Sequence, residues 1–252
     1  MKTIVSFSGG RTSAYMLKRM LDRGDDVLPI FANTGKEREE TLQFVQDCSI
    51  NFGIEVVWIE LDRLDDKDSF KIVNFETASR NGEPFAAIID AVGMVPNPVF
   101  RFCTDRLKIT PIRKYLKSRF DITQLQLAIG IRIDERHRGQ KQNAKYPKTI
   151  YPLIELEISK QDVDAYWKGS HFDLGIDSNQ GNCDLCFLKS RGKLVHIIKN
   201  NPALADWWID MEDAKGDMFK RPYSYKDLVT MSKAALLFET DDSAGIDCFC
   251  TD

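Results

Sequence analysis

Two pairs of cysteines stand close together, Cys183-Asp184-Leu185-Cys186 and Cys248-Phe249-Cys250, while Cys48 and Cys103 stand alone. Thiolates at CxxC spacing can reach one metal ion or cluster, but two of them leave a tetrahedral site half filled. The CFC pair can supply what is missing. A thiolate beside lysine or arginine can also act as a nucleophile. A second chemistry is written near the start, in Ser8-Gly9-Gly10-Arg11-Thr12-Ser13. Two glycines let a ligand approach the backbone, and the serine and threonine hydroxyls add donors. A helix beginning there offers free N–H groups and a partial positive charge, the makings of a phosphate site. A glycine-containing strand-to-helix turn with a Ser/Thr cap is the alternative, and the stretch alone leaves both open.

The elements that must carry these groups follow from periodicity. Residues 3–7, 26–32 and 55–60 read as strands, and 12–23 and 37–52 as amphipathic helices between them. Such alternation implies βαβ units and a parallel sheet. Right-handed crossovers then bring the ends of the first two strands to one edge. Helices are expected over 70–80, 84–93, 109–120 (with Pro111 in the first turn) and 160–168, the last opened by Ser159 with Asp162 three residues on. Residues 125–131 read as a further buried strand, 134–150 as a polar, basic and mobile loop, and 193–240 as helices around Trp207-Trp208. We divide the chain into an α/β domain, 1–190, and a helical extension with a cysteine-containing tail, 191–252.

Taken in order and spacing, SGGRTS, ANTGKEREET, RFCTDRLKITPIRKYL, IGIRIDERHR and GNCDLCFLKS resemble the PAPS reductase family of the adenine nucleotide α-hydrolase (PP-loop) superfamily. The resemblance covers roughly residues 3–190, with loop and tail motifs altered as in a phage- or prophage-type member. It implies an open, mostly parallel sheet with helices on both faces. It also implies an adenine nucleotide (PAPS, APS or ATP) over the first two strand ends. Ser6, Ser8, Gly9, Gly10, Arg11, Thr12 and Ser13 fall on the phosphate loop, and Asn33, Thr34 and Gly35 on the turn after the second strand. Gly130 and Arg132 fall on the GIR segment, whose arginine meets a sulfate or phosphate oxygen. A guanidinium fork suits an oxyanion better than an ammonium does. The alternative for Arg132 is an ion pair with Asp134 or Glu135.

Two departures qualify the resemblance. Thr12 replaces the aspartate of the SGGxDS loop that helps ATP-cleaving members organise Mg²⁺. Sulfonucleotide reductases usually lack the double glycine and end in an ECGLH nucleophile motif, whereas this sequence keeps Gly9-Gly10 and ends DCFCTD. Cluster-bearing members have a CC pair, a lysine and a proline, then a CxxC. Cys103 matches the first of the pair, Thr104 replaces the second, and Lys108, Pro111, Cys183 and Cys186 keep the pattern. The resemblance therefore implies a 4Fe–4S cluster on Cys103, Cys183, Cys186 and Cys248, with Lys108, Arg132 and Cys250 as catalytic candidates. A zinc site on CxxC plus CxC, without Cys103, is the alternative. Buried cysteine of no chemical consequence is the third reading, and it suits Cys48, which shares a helix with Phe44 and Phe52.

The composition, 43% hydrophobic and 29% charged with net charge −3, excludes an overall nucleic-acid-binding signature. Residues 136–148 and 189–193 are locally basic, for phosphates of a nucleotide or a nucleic acid, or simply solvated. No apolar run approaches the ~20 residues that span a bilayer, and no signal-peptide core is evident, so a cytoplasmic protein with no membrane partner is expected. His137, His171 and His196 share no ligand spacing. Three functions compete: a sulfonucleotide reductase served by a thiol reductant protein; a Mg²⁺- and ATP-using enzyme that adenylates a substrate for nucleic-acid sulfur or nitrogen modification; and a nucleotide-binding protein without catalysis.

Overall fold

The computed structural model describes residues 1–62, 70–140, 147–176 and 180–234. Strand β1 (Lys2–Ser6) is buried through its middle and pairs in parallel with β2 (Val27–Ala32) and β5 (Leu125–Ala128). Beyond β2 lies β3 (Val57–Glu60), in parallel, and beyond β5 lies β6 (Lys148–Ile150), also in parallel. Strand β4 (Lys71–Val73) closes the other edge antiparallel to β3, giving the order β4-β3-β2-β1-β5-β6. The chain builds outward from β1 to β3, then returns to the far side of β1. Strand order thus reverses between β1 and β5, where open α/β sheets bind their ligands.

Side-chain alternation assigns the two faces. Val5, Phe31 and Trp58 pack with Met16 and Leu17 of α1 (Arg11–Asp22), Phe44 and Val45 of α2 (Glu39–Phe52), and Trp167. Ile4, Ile30 and Ile59 pack on the other face with Tyr115 and Leu116. Those two belong to α4 (Thr110–Arg119), which continues a π-helical turn, Thr104–Ile109. Between β4 and that turn lies α3 (Glu83–Val92). The open, mostly parallel sheet with helices on both faces is the fold expected from the sequence.

After β6 come a single turn, α5 (Pro152–Glu155), and α6 (Lys160–Lys168). The capping box of α6 forms as its spacing predicts, with Ser159 and Asp162 bonding reciprocally. The chain then forms α7 (Arg191–Asn200), α8 (Asp206–Lys215) and α9 (Tyr225–Ala234). These share one apolar cluster with α3 and the π-helical turn: Phe85, Ile88 and Leu107 meet Leu185, Phe187, Trp208, Phe219 and Tyr225. The C-terminal helices therefore use α3, not the sheet, as their floor.

Two expectations need correction. Residues 70–80 are not a helix: they begin as β4 and turn at Asn74, whose side-chain oxygen accepts from Thr77 N at 2.9 Å and so competes with helical bonding. Lys71 holds the strand edge through Glu60 at 3.0 Å. The stretch 134–150 is not one loop. It contains a 3₁₀ segment, Ile133–Gln140, and β6, whose Thr149 and Ile150 favour a strand. Residues 141–146 of it, and Cys248 and Cys250, lie outside the described residues. Among the described residues no helix is long and apolar enough to cross a membrane.

Candidate functional site

The loop after β1 is shaped by Gly9. Its φ is +79°, and a Cβ there would stand 2.7 Å from Thr41 Cγ2 and 3.2 Å from Phe31. Only glycine lets the chain turn against α2 at this point. Gly10 is the N-cap of α1, in ordinary extended conformation, and no side chain caps the helix. Instead the hydroxyls close the loop on itself. Ser13 Oγ donates to Gly10 O at 3.0 Å, Ser8 N donates to Ser13 Oγ at 3.2 Å, and the two serine hydroxyls lie 2.9 Å apart. The first turn of α1 therefore presents N–H groups and the positive end of the helix dipole at the strand-order reversal. Gly130, just past β5, lies over it, where a Cβ would be 3.3 Å from Ser13 Cα.

Arg132 is buried beside this turn. Its Nη1 donates to Thr12 Oγ1 at 2.9 Å, and its Nη2 lies 3.0 Å from Glu135 Oε2. Asp134 stands at 3.4 Å. The ion pairs of the alternative reading are present, and the same side chain also touches the loop through Thr12. Arg11 turns elsewhere. Its guanidinium grips Asp173 bidentately, with Nε donating to Oδ1 at 2.7 Å. Burial pushes the Asp173 carboxyl up, but the Arg11 hydrogen bond and charge prevail and hold it below the ordinary range. Arg138, in the basic stretch, pairs with Glu135.

The turn after β2 is closely hydrogen-bonded. Asn33, fully buried, donates to Glu60 Oε1 at 2.6 Å and Ser79 O at 2.9 Å. Gly35 has φ +79° and touches Gly82. Thr34 N and Oγ1 both donate to Glu37 Oε2 at 2.8 Å. Glu37 then forms an antiparallel bridge with Cys183, flanked by Arg38 N→Asn182 O at 2.9 Å and Asp184 N→Lys36 O at 3.0 Å. Its other oxygen meets Lys108 Nζ at 3.4 Å and Cys183 Sγ at 3.9 Å. One carboxylate thus links the β2 turn, the predicted catalytic lysine and the CxxC segment. Lys36 pairs with Asp184 at 2.7 Å under the ring of Trp207, Lys189 Nζ donates to Cys183 O at 2.6 Å, and Asn182 Nδ2 donates to Ser8 O at 3.0 Å.

Sequence reasoning missed Lys36, Glu37, Asn182 and Asp184 as parts of the site. All four lie inside the motif strings, but a polar or charged residue becomes informative only when its burial and partners are known. Lys220 lies under the CxxC segment. Its ammonium donates to Phe187 O at 3.1 Å, and burial pushes it down, against the opposing pull of Cys186.

The cysteines divide. Cys103 and Cys186 line the α3–α9 cluster, and Cys183 faces Glu37. Among the described residues no three Cys, His, Asp or Glu side chains form a group that could hold a metal ion. Cys103, Cys183 and Cys186 do not form such a group among the described residues; Cys103 stands at the start of the π-helical turn, and the fourth predicted ligand, Cys248, lies outside the described residues. Cys48 is wholly buried, and burial pushes its thiol well up, as suits an inert core cysteine.

Residues 2–168 match the phosphoadenosine phosphosulfate reductase domain. The chain belongs to this family. An uncharacterized nin region protein, ORF290 of Escherichia phage lambda, is 34% identical over 214 residues, which cover 81% of this chain and 72% of that one. The uncharacterized protein MJ0066 of Methanocaldococcus jannaschii is 28% identical over 221 residues, 81% of this chain but only 40% of its own length. Among solved structures, the U34-tRNA thiolase NcsA from Methanococcus maripaludis with its [4Fe-4S] cluster aligns over 99% of this chain and 78% of its own, with a TM-score of 0.41 and 16% identity. The phosphoadenosine phosphosulfate reductase match ends at residue 168, so the CxxC segment lies beyond it and meets the domain through contacts such as those described above.

Proposed function

We propose that the chain binds an adenine nucleotide across the ends of β1, β2 and β5 and carries out sulfur chemistry on it, as a sulfonucleotide reductase. The observation that carries this reading is Asn182. Its side chain bonds to the phosphate loop at Ser8 while its neighbour Cys183 bridges to Glu37, so thiol chemistry and phosphate chemistry share one sheet edge. The anionic end of the nucleotide lies on the first turn of α1, with Arg132 and Lys108 as its cations.

In this reading the Cys250 thiolate attacks the sulfonucleotide sulfur. The bond from sulfur to the phosphate oxygen breaks, the electron pair leaves with the nucleotide phosphate, and an S-sulfocysteine remains. A dithiol reductant protein is then oxidised to its disulfide, releasing sulfite and restoring the thiol. Cys250 lies outside the described residues, and its role rests on thiol chemistry. The described residues do not complete an iron–sulfur or zinc site. The ATP-using reading is favoured by Gly9-Gly10. It is opposed by Thr12, whose hydroxyl accepts from Arg132 where a carboxylate would help organise Mg²⁺. Incubation of the protein with PAPS, APS and ATP, each with a dithiol, tests the choice. Sulfite from PAPS or APS is expected, and pyrophosphate from ATP without sulfite would overturn it.

Two variants probe the site directly. Arg132→Ala should weaken binding of a sulfonucleotide about tenfold or more, on the scale of one charge-assisted hydrogen bond, while adenosine binding stays within about twofold. An equal effect on both, in a calorimetric titration, would show that Arg132 does not meet the anion. Metal content should track the CxxC thiols and not Cys103: Cys103→Ser is expected to keep whatever metal the purified protein carries, and Cys183→Ser to lose it. Loss in the Cys103 variant, read by elemental analysis, would restore the three-cysteine set.

A further inference from the structure

Arg38 stands at the N-cap of α2 and caps nothing with its side chain. Its Nε and Nη2 are buried and, among the described residues, have no hydrogen-bond partner. A buried guanidinium left so is costly. These two atoms form one edge of the fork, the edge that donates two parallel bonds to two oxygens of a single oxyanion. The same molecule shows that use elsewhere. Arg11 offers Nε and Nη2 to Asp173, and Arg80 offers Nε and Nη2 to Glu39, at 2.7 and 3.1 Å in the second case. Glu39, the acid next to Arg38, is thereby occupied.

The backbone sets Arg38 opposite Asn182, whose side chain reaches the phosphate loop. Arg38 N donates to Asn182 O at 2.9 Å across the antiparallel bridge of Glu37 with Cys183. Residues opposed in an antiparallel pair project their side chains to the same side. The Asn182 amide on that side reaches Ser8 O, in the loop that opens α1. We propose that Arg38 binds a second oxyanion of the nucleotide, a phosphate or sulfate distinct from the group on the first turn of α1. This rests on the adenine-nucleotide reading and deepens it: the preferred ligand carries two anionic groups, and Arg38 is the residue that distinguishes it from a monophosphate.

The test is titration of AMP, ADP, ATP, APS and adenosine 3′,5′-bisphosphate into wild type, Arg38→Gln and Arg38→Lys. Arg38→Gln should lose about tenfold or more in affinity for at least one doubly anionic nucleotide while AMP changes less than about twofold. Arg38→Lys should recover only part, because an ammonium lacks the fork. The ligand that loses most names the source: APS a sulfate, ADP or ATP an outer phosphate, the bisphosphate a 3′-phosphate. The ligand-free Arg38→Gln protein should unfold at an equal or higher temperature, since it no longer buries an unpaired charge. Equal loss for AMP and the doubly anionic ligands, or no loss for any, would overturn the assignment alone. A wild type that binds none of the five would overturn the nucleotide reading and this assignment together.

Discussion

Lys36→Met is expected to destabilise the protein by about 3–5 kcal/mol, the cost of breaking one side of a buried ion pair. Lys36 and Asp184 are 7% and 5% exposed and 2.7 Å apart. Asp184 also accepts from Trp208 Nε1 at 3.1 Å, inside the cluster that joins α3 to the C-terminal helices. Removing the ammonium takes away the cation paired with that buried carboxylate. Adding Asp184→Asn should recover most of the loss, because Asn keeps an oxygen for Trp208 and has no charge to bury. Urea unfolding of the single and double variants measures it. A single-variant loss below about 1 kcal/mol would mean the pair behaves as a surface pair.

Gly9 and Gly10 are expected to fail in different ways. Gly9→Ala places a side chain at φ +79° with its Cβ 2.7 Å from Thr41 Cγ2 and 3.1 Å from Val45. The left-handed backbone costs about 1–2 kcal/mol and the overpacking against α2 about 1–3 kcal/mol, so a total near 2–5 kcal/mol follows. Gly10 has φ −101° and ψ 164°, which any residue adopts. Gly10→Val should therefore cost only about 1 kcal/mol, as a poor N-cap residue. Its side chain fills the space a phosphate oxygen needs at the first turn of α1. Adenine-nucleotide affinity should then fall more than about tenfold, the worth of one or two hydrogen bonds from backbone N–H groups to the phosphate. A folded Gly10→Val protein that binds nucleotides like wild type would remove the phosphate from this turn.

The contrast between these glycines shows where the sequence is legible. The Ser-Gly-Gly turn, the strand that enters it and the helix that leaves it are local features, written in periodicity and residue type over a short stretch. The α6 capping box, set by Ser159 and Asp162, is legible for the same reason. The stretch 70–80 was not, because its apolar spacing suits a helix while Asn74 closes a turn and Lys71 answers a buried acid on the neighbouring strand. Residue type showed that Gly9 could bend the chain. It could not show that Thr41, Val45 and Phe31 would crowd it.

Composition, alternation and ordered motifs were enough to specify an open parallel sheet, a glycine-bearing loop at its edge and the family to which the chain belongs. The tertiary structure alone decided which side chains meet at that edge. Arg132 finds Thr12 across 120 positions, Asn182 finds Ser8 across 174, and Cys183 finds Glu37 across 146. It likewise put Cys103 at the mouth of a π-helical turn and left one edge of the Arg38 fork without a partner among the described residues. Secondary structure depends on neighbours within a turn or a strand. The worth of a buried charge depends on which distant group shares its low-dielectric surroundings, and only the folded chain brings the two together.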